Sequence, residues 1–484
     1  MKNIQERVLG AYRRADAFLT QYKLVFGALL ALAFAGALAL YNVSSGPLRN
    51  LNDIGGWSNR AAFIGCAAIV HVLVLVLCTA LSRCCFSRIA LRQAILTAGY
   101  YILLLGINHK TYAFTEVMLP LIRTMQEGGI MAALDMNTGY SVSALLMLRG
   151  MASTPVYPMY MLKLAAMASL IVMAILTMRA AEKRDMGIRT EALLALCVIL
   201  PQGFMNAACS ALIDVTAAAL LFSGFALMDS RKLYARVLSM ALVALSCALS
   251  GVCMYALPAV ILLMHKRGWN FRLLLVVPAV MALAALPAVL GGVPVMEALV
   301  SFVQANFSAA PYASGSPGLM NLVPRALVEE MPQYAPVLSH FETLDTVTHA
   351  QPYYTQAHFL QMSAGMVLAG LAAYMGVTML ALRVKEKKTV LAGAMVFALG
   401  ALLACPGATS GAWLALDMLC LYAIMAQPKL RLPACMVLFA TMTSSIYPMT
   451  EEVMLPMINA FALCLGALLM LLDVIPTNRK EEAA

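Results

Sequence analysis

The chain is short of charge. Asp, Glu, Lys and Arg make up only 12% of its 484 residues while 62% are hydrophobic, and a soluble domain carries about twice that charged share. A cytosolic globular fold is therefore excluded. The twelve cysteines lie almost all inside apolar runs, apart from the adjacent Cys84 and Cys85, and show no CxxC or Cys/His ligand spacing, so neither a metal site nor a disulfide framework is expected. The net charge of +10 is scattered in short clusters between apolar runs and nowhere gathered into one basic domain, which argues against nucleic acid as a partner. No convincing internal repeat appears. The amino-terminal segment also lacks a clear small-residue cleavage site, so it reads as an uncleaved anchor.

What the sequence does have is long apolar runs, at 25–41, 61–82, 94–107, 156–178, 191–205, 207–228, 235–249, 252–264, 272–290, 359–382, 389–404, 411–426, 432–447 and 456–475. A helix needs roughly 20 residues to cross a hydrocarbon core about 30 Å thick, and several runs are shorter. The expectation is an all-α polytopic membrane bundle of about 12–14 transmembrane helices. It comprises a basic N-terminus over 1–24, one transmembrane domain over 25–475 and a tail over 476–484.

Lys and Arg collect on the cytoplasmic side of membrane helices. With the N-terminus placed inside, the stretches assigned to that side hold 26 of the 33 basic residues, in clusters such as Arg83–Arg92, Arg179–Arg189 and Arg383–Lys388. The opposite stretches collect acids, among them Asp53, Glu116, Glu127, Asp135, Glu297 and Glu329. Both termini are thus expected in the cytoplasm and the chain in a bacterial inner membrane. Two outer loops are long, 108–155 and 291–358, which points to function on the outer face. In the first, TEVMLPLIRTMQEGG and YSVSALLMLRGM place apolar residues near helical spacing, as short interfacial helices do. The second is rich in Pro, Tyr, Ser and Asn and reads either as an ordered but irregular lid over a cavity or as a solvated loop.

Between residues 95 and 475 a series of short motifs follows in order: VMLPLI, QEGGI, TGYSVSALLML, YPMYMLKLAAM, PQGFMNAACSALID, SPGLMNLVP and CPGATSGAWLALD. In this order they resemble the motifs of the bacterial mannosyltransferase-like membrane proteins related to the eukaryotic glycosylphosphatidylinositol mannosyltransferases, of the GT-C glycosyltransferase class. In the first outer loop Pro120, Gly128, Gly129, Tyr140 and Lys163 match the family pattern, whereas Ala113 stands where the family has Asp, with Glu116 the nearest acid. In PQGFMNAACSALID, Pro201, Asn206 and Asp214 keep the family spacing, but Ser210, Ala211 and Leu212 replace Trp-Gly-Gln. The Lys and Gln expected ahead of Pro258 are Ser250 and Val252. In CPGATSGAWLALD, Pro406 and Asp417 are kept, while Thr409, Ser410, Gly411 and Ala412 take the His-Glu-Arg-Tyr positions. Asn321 matches an Asn of the family's luminal segment. Scaffold positions are retained and most charged or amide positions are lost.

The resemblance implies transfer of a sugar from a polyprenyl-phosphate donor to an acceptor on the outer face, or a relative that keeps the fold without catalysis. Such chemistry needs a carboxylate to take the acceptor's proton and donors for the leaving phosphate. On this reading Glu116 and Asp214 are the catalytic candidates, Asn206, Tyr140, Lys163, Asn321 and Asp417 bind substrate, and no metal or other cofactor is required. The bilayer and the lipid-linked donor are the partners it implies. Competing with each role is a plainer one: Glu116 and Asp135 as solvated charges, Asp214 and Asp417 as interhelical hydrogen-bonding groups that escape the cost of a lone charge in lipid, and Lys163 as a snorkelling cation. His71, in AAIVHVLVL, reads as a packed, hydrogen-bonded histidine. A transporter or lipid-linked-glycan flippase, and a surface-polysaccharide polymerase or ligase, are the alternatives.

Overall fold

In lipid a backbone amide has no water to turn to, so an apolar run must satisfy its own hydrogen bonds, and a helix does so within one segment. A computed structural model of the chain bears this out for every apolar run it describes. The residues described are 2–51, 54, 56–110, 113–136, 140–200, 203–210, 213–228, 230–250, 253, 257–266, 268–307, 393, 395, 396, 399, 410–450 and 454–474. The helices are α1 (Lys2–Gln21), α2 (Lys23–Ser44), α3 (Arg60–Leu81), α4 (Phe86–Leu104), α5 (Leu119–Asp135), α6 (Val142–Ala152), α7 (Pro158–Glu182) and α8 (Ile188–Ile199). They continue with α9 (Ile213–Leu227), α10 (Leu233–Leu249), α11 (Leu257–Lys266), α12 (Val276–Leu290), α13 (Val295–Phe307), α14 (Ser410–Ala426), α15 (Arg431–Thr450) and α16 (Met454–Val474). Among the described residues no strand forms, and the only bridge joins Ile54 and Trp57.

Among the described residues four segments are long and apolar enough to cross a membrane: Lys23–Ser44, Arg60–Leu81, Pro158–Glu182 and Phe271–Leu290. Their surfaces fit that setting. Ile69, Leu73 and Leu77, one turn apart along α3, are exposed, as are Leu29, Leu32 and Leu40 on α2 and Leu283, Leu286 and Leu290 on α12. Stripes of this size would be a liability in water and are ordinary against lipid tails. The chain has the make-up of a membrane protein.

The chain divides into two units, one of residues 1–126 and 147–212 and one of 127–146 and 213–484. In the first, α7 is apolar on all sides and buried along most of its length, with Met167, Leu170, Met173 and Ala174 fully enclosed. Helices α2 and α3 approach closely at Gly27, where a Cβ would stand 2.6 Å from the Thr79 side chain. Gln93 of α4 closes that junction, the two N–H groups of its amide shared among Gly27 O, Leu75 O and Thr79 Oγ1 at 3.1, 3.2 and 2.9 Å. One amide thus ties three helices together, the kind of polar cross-link that holds helices where burial alone cannot.

The ends of these helices sort into two sets. At one end Lys23 Nζ donates to Ser82 O, the Phe86 amide to Thr20 Oγ1, the Ser87 amide to Asp16 and the Arg83 amide to Glu182. These connect three of the stretches counted as basic from sequence. At the other end the Tyr157 amide donates to Asn59 Oδ1, Arg60 to Val43 O and Asn108 to Pro47 O. An aromatic cluster of Trp57, Phe63, Phe114, Tyr157 and Tyr160 fills that end, with ring centroids 5.5–5.8 Å apart.

In the second unit α9 and α10 pair antiparallel through small residues. At Gly224 a Cβ would lie 2.8 Å from Val243 and 3.0 Å from Ser239 O, so glycine is needed there for backbone approach, not for its own flexibility. Helix α14 packs on α9 and α15, and α15 on α16.

The basic N-terminus, which the sequence left without a structure, is helical as α1. Several sequence boundaries are corrected. Arg88 and Arg92, assigned to a connecting stretch, are wound into α4, because carboxylates meet both of them there. The run 191–205 stays helical only to Ile199; Leu200 turns extended (φ −127°, ψ 147°), as a residue ahead of a proline is driven to do. The second long loop is not irregular from its start, since Val295–Phe307 is helical. The two apolar segments of the first outer loop do form helices, α5 and α6, with α5 broken at Gly129 (φ 78°). The segments 308–358, 359–382 and 475–484 lie outside the described residues, as does most of 389–404.

Candidate functional site

Three serines of α10 and its cap, Ser239, Ser246 and Ser250, fall on one face at intervals near two turns and one turn. Each donates across to α9 or its first turn: Ser239 to Gly224 O, Ser246 to Ala217 O and Ser250 to Asp214 Oδ1, all at 2.8 Å. The first two are a backbone zipper that fixes the register of the pair. The third ends it on a carboxylate. Asp214 stands in the first turn of α9, where the helix's positive end favours a negative charge, and Ser250 reaches it because the chain leaves α10 in extended conformation (φ −139°, ψ 121°).

Tyr140 joins this end of the pair. Its phenol is pushed well above the ordinary tyrosine range, first by burial and then by the negative charge of Asp214. The next residues pin it in place. Ser141 Oγ donates to Ala248 O at 2.5 Å and accepts the Ala144 amide at 3.2 Å, and the Val142 amide donates to Ser301 Oγ of α13 at 3.1 Å. Asp214, Ser250 and Tyr140, from three separate sequence segments, therefore share one end of the second unit. A carboxylate beside a hydroxyl and a phenol can orient, and accept a proton from, an incoming hydroxyl group.

The remaining candidates are dispersed. Asp417 of α14 is buried, and Thr441 of α15 lies 2.7 Å from its Oδ1. Asn206 is buried on a one-turn π-helix, Phe204–Cys209, in the first unit. Lys163, also in the first unit, is fully enclosed, and its ammonium donates to the carbonyls of Gly106 and Ile107 at 3.0 Å and of His109 at 2.5 Å. Three N–H donors meet three acceptors, so a phosphate could bind only by displacing a carbonyl. Glu116 lies on a one-turn π-helix, Ala113–Met118; its side chain is outside the described residues, as are Asn321 and Leu212. Among the described residues no cluster of three or more His, Cys, Asp or Glu could hold a metal. His71 is packed, its ring stacked on Tyr100 with centroids 4.6 Å apart and its Nε2 3.1 Å from Thr97 Oγ1. Thr97 spends its own proton on Gln93 O, so the histidine is assigned as the Nε2–H donor.

Sequence reasoning missed an ion cluster in the first unit. Glu191 of α8, with no exposed side-chain surface, is clasped by Arg92 at 2.7 Å and by Arg88, while Glu182 of α7 bridges Arg92 and Arg179 at 3.1 and 2.9 Å. A signal existed: Glu182 and Glu191 are acids within and beside a stretch read only for its basic residues. No protein-family model, curated protein or solved structure matches the chain.

Proposed function

We propose that the chain is a membrane glycosyltransferase-like protein of GT-C type, resident in a bacterial inner membrane with both termini cytoplasmic. On this reading it transfers a sugar from a polyprenyl-phosphate donor to a hydroxyl acceptor on the outer face. One observation carries the reading: Asp214 and Ser250, which fall at positions of two separate family motifs, are hydrogen-bonded to one another, with Tyr140 of a third motif beside them. They lie at the end of α9 and α10 opposite the basic stretch Arg231–Arg236, the outer end under the positive-inside rule. Asp214 then serves as the base for the acceptor hydroxyl, Ser250 orients that carboxylate, and Tyr140 shapes the acceptor site. The family's Lys, Gln and His-Glu-Arg groups are missing from their positions in this sequence, so transfer is expected to be slow or replaced by binding alone.

The test is an assay of the purified protein with polyprenyl-phosphosugars. Asp214→Asn should lower turnover by about 10²-fold or more, the scale of a general base, with Ser250→Ala costing less. Glu116→Gln tests the rival carboxylate. Turnover unchanged by Asp214→Asn would remove it as the base, and the absence of turnover with every donor would favour a fold kept without catalysis.

Orientation has its own test. Reporter fusions at Arg189 and Arg383 should register cytoplasm and those near Asp135 and Asn321 the outside. An outside signal at Arg189 would invert the map.

A further inference from the structure

Helix α1 is amphipathic, and Tyr12, Ala15 and Phe18 on its apolar side are exposed, although the Phe18 ring also meets those of Tyr22 and Phe26, centroids 5.3 and 6.0 Å away. At 100° per residue, Ile4, Val8, Tyr12, Ala15, Phe18 and Leu19 fall within one arc, while Lys2, Arg13, Arg14, Asp16 and Thr20 lie on the other. The polar side makes the hydrogen bonds that tie α1 to α4. Asp16 accepts the Ser87 amide at 2.8 Å and Thr20 the Phe86 amide at 2.9 Å, so α1 docks on the first turn of α4 through residues that would ordinarily face water. Tyr12 and Phe18 on the apolar side remain 57% and 56% exposed, where a helix packed on its own protein would have buried them.

The docking fixes where α1 sits. Its carboxyl end is held beside the start of α2, the end of α3 and the start of α4 through Lys23, Ser82 and Phe86. Two of these helices, α2 and α3, are long and apolar enough to span a bilayer, so α1 lies at the level where hydrocarbon gives way to headgroups. Its formal charges are Lys2, Arg7, Arg13 and Arg14 against Glu6 and Asp16, and Asp16 is engaged by an α4 amide. Exposed cations beside an exposed apolar stripe match one kind of surface.

We propose that α1 is a membrane-surface helix that binds anionic lipid, with Tyr12, Ala15 and Phe18 entering the boundary between headgroups and acyl chains and Arg13 and Arg14 meeting lipid phosphates. A helix of this make-up binds by apolar area together with electrostatic attraction to anionic headgroups.

The full-length protein is reconstituted in vesicles of phosphatidylcholine alone or mixed with phosphatidylglycerol, each containing brominated acyl chains that quench tryptophan. The variants are Tyr12→Trp on the apolar arc and Gln21→Trp on the polar arc, with the parent protein's signal subtracted for its three native tryptophans. Both positions are exposed, so neither substitution disturbs packing. In the anionic vesicles the Tyr12→Trp signal should be quenched at least about two-fold more than that of Gln21→Trp, and the excess should shrink in phosphatidylcholine and with Arg13→Glu/Arg14→Glu. Quenching at position 12 that is absent, equal to that at position 21, or indifferent to anionic lipid overturns the proposal. So does concentration-dependent crosslinking through α1, which would make a second copy its cover.

Discussion

Glu191→Ala should destabilise the first unit by about 3–5 kcal/mol, the cost of leaving a buried cation without its counter-charge. Arg92 is 1% exposed and makes two bonds to Glu191, at 3.0 and 2.7 Å, so it cannot swing into water when the carboxylate goes. Its remaining contacts, to Ser82 Oγ at 2.8 Å and Glu182 at 3.1 Å, offset part of the charge but not the vacated side. Arg88, with 27% of its side chain exposed, can turn outward and should suffer less. The paired variant Arg92→Met/Glu191→Met removes both charges and fills the space. It should be more stable than the sum of the two single changes by about 1–3 kcal/mol, a coupling of the size found for residues in one network. Thermal unfolding in detergent, read by retention of the folded-protein peak in size-exclusion chromatography, measures all three variants. Additive losses would show that the ions do not depend on one another.

Lys163→Met should cost about 2–5 kcal/mol, because it removes the donor from three carbonyls at once and an unpaired buried acceptor costs about 1–3 kcal/mol. The loss is tempered because a buried ammonium is itself expensive and its removal recovers some of that cost. Arginine should not rescue the site: a flat guanidinium cannot reproduce three donors converging from one point. The same variant separates two roles for this residue. A lysine that ties down the chain after α4 loses stability first, with any transfer activity falling in proportion to folded protein. A phosphate ligand would lose activity while the thermal midpoint held.

Much of this protein was legible in its order of residues. In lipid only helices and closed barrels satisfy the backbone, and apolar runs this long and continuous, interrupted by basic clusters, lack the short alternating pattern of barrel strands, so the sequence reads as helical in a membrane. Helices α5 and α6 were visible as periodicity. Asp214 could be singled out because an acid at the edge of an apolar run has to be paired or used. What could not be seen was its partner. Ser250 entered only as the residue standing where a lysine was missing, and nothing in its composition distinguishes it from Ser239 or Ser246, which bond to backbone instead.

Local sequence settled which segments are helices, since helix formation depends on neighbours within about four residues and on a solvent that forbids the alternatives. Tertiary structure alone decided which polar groups meet. Arg92 and Glu191 are 99 positions apart, Lys163 and Gly106 57, and Ser250 and Asp214 36. Periodicity carries no information across such distances, because the register between two helices is set by where small residues such as Gly27 and Gly224 let backbones approach. A shift of one turn, about 5.4 Å, would leave the helices unchanged and separate every one of these pairs.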